Sequence, residues 1–174
     1  MKSGEQLNDR HITPTMKFGG GAIIGLGCMN ADGVGQLRKI DVRMNADIYV
    51  DILNENLLGS LLAKGLDKEE IFYQQDNDPK HVSRKARDWF LDNEIDLLDW
   101  PAQSPDLSPI ENLWNEVDRR LRQLPGPLSS KDDLWAKLQI AWNGIEADFC
   151  ERLVASMPER VNDVIKAKGG YTKW

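Results

Sequence analysis

The sequence predicts an α/β fold, a mixed sheet flanked by helices. Three observations carry that expectation. Ala22–Met29 is an unbroken apolar run with a β-branched pair between glycines, the pattern of a buried strand. Two shorter apolar segments, Ile71–Gln75 and Ile95–Trp100, bracket a segment of helical periodicity. From residue 108 onward the apolar residues recur only at helical spacing, so helices cover what the strands begin.

Taken in order, residues 1–16 are polar, end in Thr13-Pro14-Thr15 and read as a loose leader. Phe18-Gly19-Gly20-Gly21 is a flexible entry to the Ala22–Met29 strand, and Asn30-Ala31-Asp32-Gly33 is a turn signal. Gln36–Val42 reads as a second, more polar strand at an edge or on a half-exposed face. Asp47–Lys64 is a helix with Ile48, Ile52, Leu53, Leu57, Leu61 and Leu62 as its stripe and Asn45 as its cap. Ile71–Gln75 runs as a strand into Asp76. Ser83–Asn93 turns Ala86, Trp89 and Phe90 inward, and Pro101 stops the strand Ile95–Trp100. The prolines at 101, 105 and 109 make a loop. Ser108-Pro109-Ile110-Glu111 then opens a helix with the stripe Ile110, Leu113, Trp114, Val117 and Leu121. Further helices are expected near 131–144, 147–156 and 158–168, the last closed by Gly169-Gly170.

The 174 residues suit one domain, placed at 17–174 behind the leader. No apolar run approaches the roughly 18 residues of a membrane span, and the N-terminus lacks the apolar segment of a signal peptide. Cys28 and Cys150 are too far apart for a metal knuckle and too few for a disulfide framework, so a reducing compartment is expected. Basic residues number 22 against 28 acidic, a net charge of −6. That argues against a self-sufficient, non-specific DNA binder, which needs clustered Lys and Arg. It leaves room for a carboxylate site that holds a metal ion.

Gln75-Asp76-Asn77-Asp78-Pro79-Lys80-His81 follows directly on a strand. A carboxylate there is rigidly held and suits Mg²⁺, which takes one or two carboxylates plus water and phosphate oxygens. The same residues also fit an Asx turn fixed by Pro79. Glu111, third in its helix after Ser108, fits a capping box. It equally fits a second metal carboxylate facing Asp76, as two-cation phosphoryl transfer requires. His81 reads either as a solvent-facing residue near a helix start or, with Lys80, as a contact to nucleic acid. Trp89, Trp114, Trp135 and Trp142 sit at helical spacing among aliphatic neighbours and read as core.

Together these segments resemble the DDE transposase domain of the Tc/mariner superfamily, Tc branch. The resemblance rests on Lys17-Phe18-Gly19-Gly20-Gly21, on Gln74–His81 and on the run Trp100-Pro101-Ala102-Gln103-Ser104-Pro105-Asp106-Leu107-Ser108-Pro109-Ile110-Glu111-Asn112-Leu113-Trp114. The tail, Leu153–Arg160 and Ala167–Gly170, matches as well, so the likeness covers about residues 12–174. It implies a ribonuclease H-like fold and a triad of two aspartates and a glutamate that binds Mg²⁺ or Mn²⁺ to cut and rejoin DNA. Asp76 would be the second acid and Glu111 the third, both catalytic and metal-binding, at the family's usual interval. Lys80, His81, Arg119 and Arg120 become the candidate nucleic-acid contacts, and the nucleus the expected location.

Three departures shape the expectations. The family's first aspartate lies on a strand before the Lys-Phe-Gly-Gly-Gly segment, where this chain offers only Asp9 in a polar context. The family's DNA-binding helix-turn-helix domains, which precede that strand, are expected to be absent as well. Asp118 stands where the family usually carries a lysine, a repulsive charge in place of a phosphate contact. The expected reading is therefore a truncated, catalytically incomplete domain with weak metal and DNA binding. The alternatives are a domesticated interaction module that poisons a full-length transposase, and an active endonuclease that recruits Asp78, Asp106 or a partner's acid. The sheet should lack its usual first central strand. The leader, direct pairing of the flanking strands or a second copy would have to fill the gap, with a homodimer, joined through Ala22–Met29 or by swapping an element, favoured over the leader.

Overall fold

The computed structural model describes residues 15–18, 21–102 and 104–174. Leader residues 1–14 and the Gly19-Gly20 pair lie outside the described residues. Strand β1 (Thr15–Phe18) crosses the expected leader boundary at residue 16 and runs antiparallel to β2 (Gly21–Leu26), Thr15 opposite Ile24 and Phe18 opposite Gly21. A small hairpin, β3 (Met29–Asn30) and β4 (Gly33–Val34), turns at Ala31-Asp32 and leaves the turn at Gly33, whose φ of 119° suits only glycine. Then β5 (Arg38–Ile40) lies antiparallel on the other edge of β2, Ile24 opposite Ile40 and Leu26 opposite Arg38. The order β1-β2-β5 leaves β2 with a neighbour on both sides. The expected pairing of two copies through Ala22–Met29 is therefore corrected: within one chain β2 is bonded to β1 over residues 21–24 and to β5 over residues 24–26.

Because β2 is covered on both faces it needs apolar side chains throughout, which is why its sequence shows no alternation. Ile23 faces one core with Leu113, Trp114, Leu138 and Trp142; Ile24 and Leu26 face the other with Tyr49, Leu53, Trp89 and Phe90. The strand ends at Leu26, and the next residue is glycine for a steric reason. The Trp142 ring lies so close that a Cβ at Gly27 would sit 2.6 Å from it. The indole Nε1 donates to the Gly35 carbonyl at 2.8 Å, and the ring packs on Trp114 at 4.7 Å. The strand core and the helical cover are joined at this point.

Helix α1 (Ala46–Ile52) starts at Asn45, whose Oδ1 accepts from the Ile48 amide at 2.9 Å, as expected of the cap. A wide π-turn at Leu53–Leu57 passes into α2 (Leu58–Lys64), which ends on Gly65 at φ 63°. The wide turn absorbs the drift of a four-residue apolar repeat, so Leu53, Leu57 and Leu61 stay on one buried face. Leu62, expected on that face, is rotated one residue past it and is 83% exposed.

Strand β6 (Phe72–Tyr73) and helix α3 (Arg84–Asp92) follow, then β7 (Asp96–Leu97), parallel to β6 with Phe72 opposite Asp96. The Leu98 amide donates to the Tyr73 carbonyl and extends the ladder by one bond. Both strands are shorter than the five or six residues expected, and no ladder joins them to β2 among the described residues. After a 3₁₀ turn at Pro105–Leu107 come α4 (Pro109–Gln123), α5 (Lys131–Asn143), α6 (Ala147–Ala155) and α7 (Met157–Lys166), matching the expected helices to within two residues. Among the described residues no helix is long and apolar enough to cross a membrane.

Candidate active site

Asp76 lies three residues beyond β6, on a segment fixed from both sides. Its Oδ1 accepts from the Asp78 amide at 3.1 Å, the Asx turn that the sequence allowed. The same oxygen meets His81 Nδ1 at 2.5 Å. His81 is 2% exposed, which corrects its solvent-facing reading. Its imidazole is packed on the Tyr49 ring, centroids 4.2 Å apart. Tyr49 Oη donates to Gln75 Oε1 at 2.5 Å, and Gln75 Nε2 donates to the His81 carbonyl at 3.1 Å. Helix α1 thus braces the Asp76 loop through one tyrosine. The Asp76 side chain is 30% exposed while the imidazole behind it is sealed, so the acid is aimed outward by a rigid donor.

Asp78 is different. Its side chain is 1% exposed, Oδ1 accepts from the Lys80 amide at 2.9 Å, and Oδ2 pairs with Lys80 Nζ at 2.6 Å. Burial pushes its carboxyl pKa up, but the Lys80 ammonium and amide, with the charge at His81, pull harder and the net shift is down. The Tyr49 phenol is raised well above its ordinary value, by burial first, then by Tyr73 and by the charges of Asp76 and Asp78. It stays a neutral donor.

Glu111 is half-buried in the first turn of α4. The capping box is not closed: Ser108 stands at the N-cap but its hydroxyl makes no cap bond, and the first turn is entered by the Glu111 amide donating to the Ser108 carbonyl at 3.2 Å. A tie between the two acidic segments runs through Gln74, whose Nε2 reaches the Leu107 carbonyl at 3.4 Å. Asp106, the other candidate acid, accepts from the Thr172 amide and hydroxyl at 2.9 and 2.6 Å. A groove of about 270 Å³ opens beside the Asp76 loop, lined by Asn77, Arg87, Asp99 and Trp100 among others, and Asp76 does not line it.

Carboxylate oxygens are the hard donors that Mg²⁺ and Mn²⁺ favour, and an outward, pre-oriented Asp76 fits that chemistry. Among the described residues, no group of three or more His, Cys, Asp or Glu side chains is gathered to hold a metal ion. The residues present fit a partial ligand set.

The candidate nucleic-acid residues are placed less openly than expected. Lys80 is bonded to Asp78 and His81 is buried against Asp76. Arg119 and Arg120 both pair with Glu116 at 2.7 Å, and Arg120 Nη1 also donates to the Gly144 carbonyl. Tyr49, Gln75 and Arg160 belong to this region and were not anticipated. Tyr49 lies one residue from the expected helical stripe, the one signal that could have found it.

Residues 26–134 match the family model described as DDE superfamily endonuclease. Two nematode relatives are similar over nearly the whole chain. The Tcb1 transposase of Caenorhabditis briggsae and the Tc1 transposase of Caenorhabditis elegans are each 39% identical over 171 residues, 98% of this chain and 61% of theirs. The chain thus spans about three fifths of the length of the curated relatives it matches. The fold is that of the Mos1 transposase catalytic domain, solved with raltegravir and Mn: TM-score 0.81 at 21% identity, covering 92% of this chain and 82% of that one. A Mos1 paired-end complex with the left transposon end superposes with TM-score 0.77 at 20% identity, over 98% of this chain and 51% of that one. That fold is ribonuclease H-like, here a mixed α/β arrangement of helices flanking small sheets instead of the one mixed sheet expected. The family match, the relatives and the fold agree, and the chain belongs to the DDE superfamily endonucleases as a Tc/mariner transposase DDE domain.

Proposed function

We propose that this chain carries the second and third acids, Asp76 and Glu111, of a centre that cuts and rejoins DNA strands with Mg²⁺ or Mn²⁺. The observation that carries the reading is Asp76 itself. It is a partly exposed carboxylate beyond a strand end, oriented by a buried histidine and a backbone amide. The relatives are transposases, and one similar structure holds Mn, which supports the same assignment. A divalent cation held by Asp76 and Glu111 would supply positive charge against the phosphate as negative charge develops on it. The chain's own part is to fix the carboxylates. His81, Tyr49 and Gln75 hold Asp76, and α4 holds Glu111.

In isolation the chain is catalytically incomplete in this reading. Asp78 is committed to Lys80 and Asp106 to Thr172, which supports a further carboxylate coming from outside the described residues. A second copy or a longer transposase chain is the partner class that could supply it, and DNA the substrate, in the nucleus.

Two measurements test this. Mn²⁺ titration followed by electron paramagnetic resonance should show binding no tighter than about millimolar, since two carboxylates leave most of the hydration shell in place. Asp76→Asn and Glu111→Gln should each weaken it. Equal Mn²⁺ affinity in wild type and Asp76→Asn would overturn the metal assignment. Supercoiled plasmid should stay largely intact with the chain alone in Mg²⁺ or Mn²⁺. Robust nicking abolished by Asp76→Asn would overturn the incompleteness and keep the site.

A further inference from the structure

Arg160 is the least expected residue of the fold: a guanidinium on α7, 1% exposed, with every bond directed at a defined neighbour. Nε donates to Ser156 Oγ at 2.8 Å on its own helix. Nη1 donates to the Asp106 carbonyl at 3.1 Å in the turn before α4. Nη2 donates to Asn112 Oδ1 at 2.8 Å, one residue after Glu111. The Trp174 ring closes over the guanidinium at 4.5 Å.

The last residues reinforce the same turn. Thr172 binds Asp106 Oδ2 with both its amide and its hydroxyl. Trp174 Nε1 donates to Asp163 Oδ2 at 3.1 Å, and Lys173 pairs with Glu159 at 2.7 Å. Residues 172–174 therefore form a strap tied to α7 at one side and to Pro105–Leu107 at the other. The strap sits at the start of α4. Its cap residue, Ser108, makes no side-chain bond to the first turn, so the bonds from Arg160 are what fix that turn to the segment before it. Arg160 bonds the residues on either side of Glu111, at 106 and at 112, and so ties the turn before α4 to the first turn of that helix.

We infer that Arg160, with Thr172 and Trp174, is a positioning device for Glu111, fixing the first turn of α4 so that its carboxylate stands ready for the metal. This rests on the proposed metal role of Glu111. Burial of a guanidinium is costly unless its donors are satisfied. A buried arginine spent on one turn, instead of an apolar side chain of similar volume, is what precise placement of that turn would require.

The test avoids the buried arginine, whose removal could unfold the chain, and cuts the strap at its half-buried residues. Thr172→Val and Trp174→Ala, singly and together, are compared with wild type and with Trp174→Phe, which keeps an aromatic face over Arg160. Hydrogen exchange by mass spectrometry across residues 108–116 should accelerate about tenfold in the double variant, with α5 unchanged. Mn²⁺ affinity should fall several-fold, and Trp174→Phe should restore both. Unchanged exchange across 108–116 overturns the inference. Faster exchange with unchanged Mn²⁺ affinity also overturns it, because the strap would then hold the turn without serving the acid. If wild type and Asp76→Asn bind Mn²⁺ equally, the metal reading itself has failed. The exchange arm still decides separately whether the strap holds the turn.

Discussion

At the scale of the residue, His81 does the most with the least visible signal. Its Nδ1 is committed to Asp76 and its ring to Tyr49, while Nε2 is buried with no hydrogen-bond partner among the described residues. The two ring nitrogens make opposite demands. A buried unsatisfied nitrogen costs stability, whereas the bond to Asp76 orients a candidate metal ligand. His81→Phe separates them. It keeps an aromatic ring against Tyr49 and removes both nitrogens. The melting temperature should hold or rise, and Mn²⁺ affinity should fall about 10- to 100-fold, the usual effect of losing a residue that orients a ligand. A variant with lower stability and unaltered Mn²⁺ affinity would assign His81 to packing alone. Asp76 and Glu111 could be named from the sequence because their motifs are contiguous. The burial of His81 could not, because its neighbour Tyr49 lies 32 positions earlier and nothing local distinguishes a sealed imidazole from an exposed one at a helix start.

At the scale of the element, helices were legible in extent, and strands in place but not in length. Trp89 and Phe90, or Leu113, Trp114 and Val117, repeat often enough to define a face, and those faces are buried. Strands β6 and β7 pair over two residues each, and the apolar residues around them face helices instead of a ladder, so apolar length overstated strand length. The π-turn in the first long helix was invisible for a related reason: a four-residue repeat is equally consistent with a drifting stripe and with one widened turn. Helix α4 carries a feature with a direct consequence for pH. Glu116, bonded to Arg119 and Arg120, has its carboxyl pKa lowered from 4.5 to about 2. A lowered pKa in the folded state means the stabilisation is fully present above pH 4.5 and is lost as pH falls toward 2. Urea unfolding of wild type and Glu116→Gln should therefore differ most near pH 6, wild type being more stable, and converge by about pH 2. A difference that stayed constant over that range would show that the pair contributes nothing through ionisation.

At the scale of the whole molecule, the arrangement of charge matters more than its sum. Six basic residues cluster locally in two groups, and each faces a carboxylate. Lys80 meets Asp78, Arg84 meets Asp88 and Lys85 meets Asp47 on the side of α3. On α4, Arg119 and Arg120 meet Glu116, and Arg122 meets Asp118 at 2.7 Å. A net charge of −6 is a property of composition, but this pairing is a property of the fold, and only the first could be read in advance. Each phosphate contact made by an already paired arginine must first displace its carboxylate, which removes much of the gain from counterion release. The chain alone should bind duplex DNA weakly, with a shallow dependence of affinity on salt. The double variant Glu116→Gln and Asp118→Asn unpairs three arginines on one helix while preserving side-chain volume. Gel-shift affinity should rise at low salt. The slope of log affinity against log salt should steepen by about 2 to 3, at roughly 0.9 for each new phosphate contact on B-form DNA. Circular dichroism checks that the variant is folded. If affinity and slope match wild type in a folded variant, the α4 arginines do not face DNA, and the duplex must approach the Asp76 loop from another side.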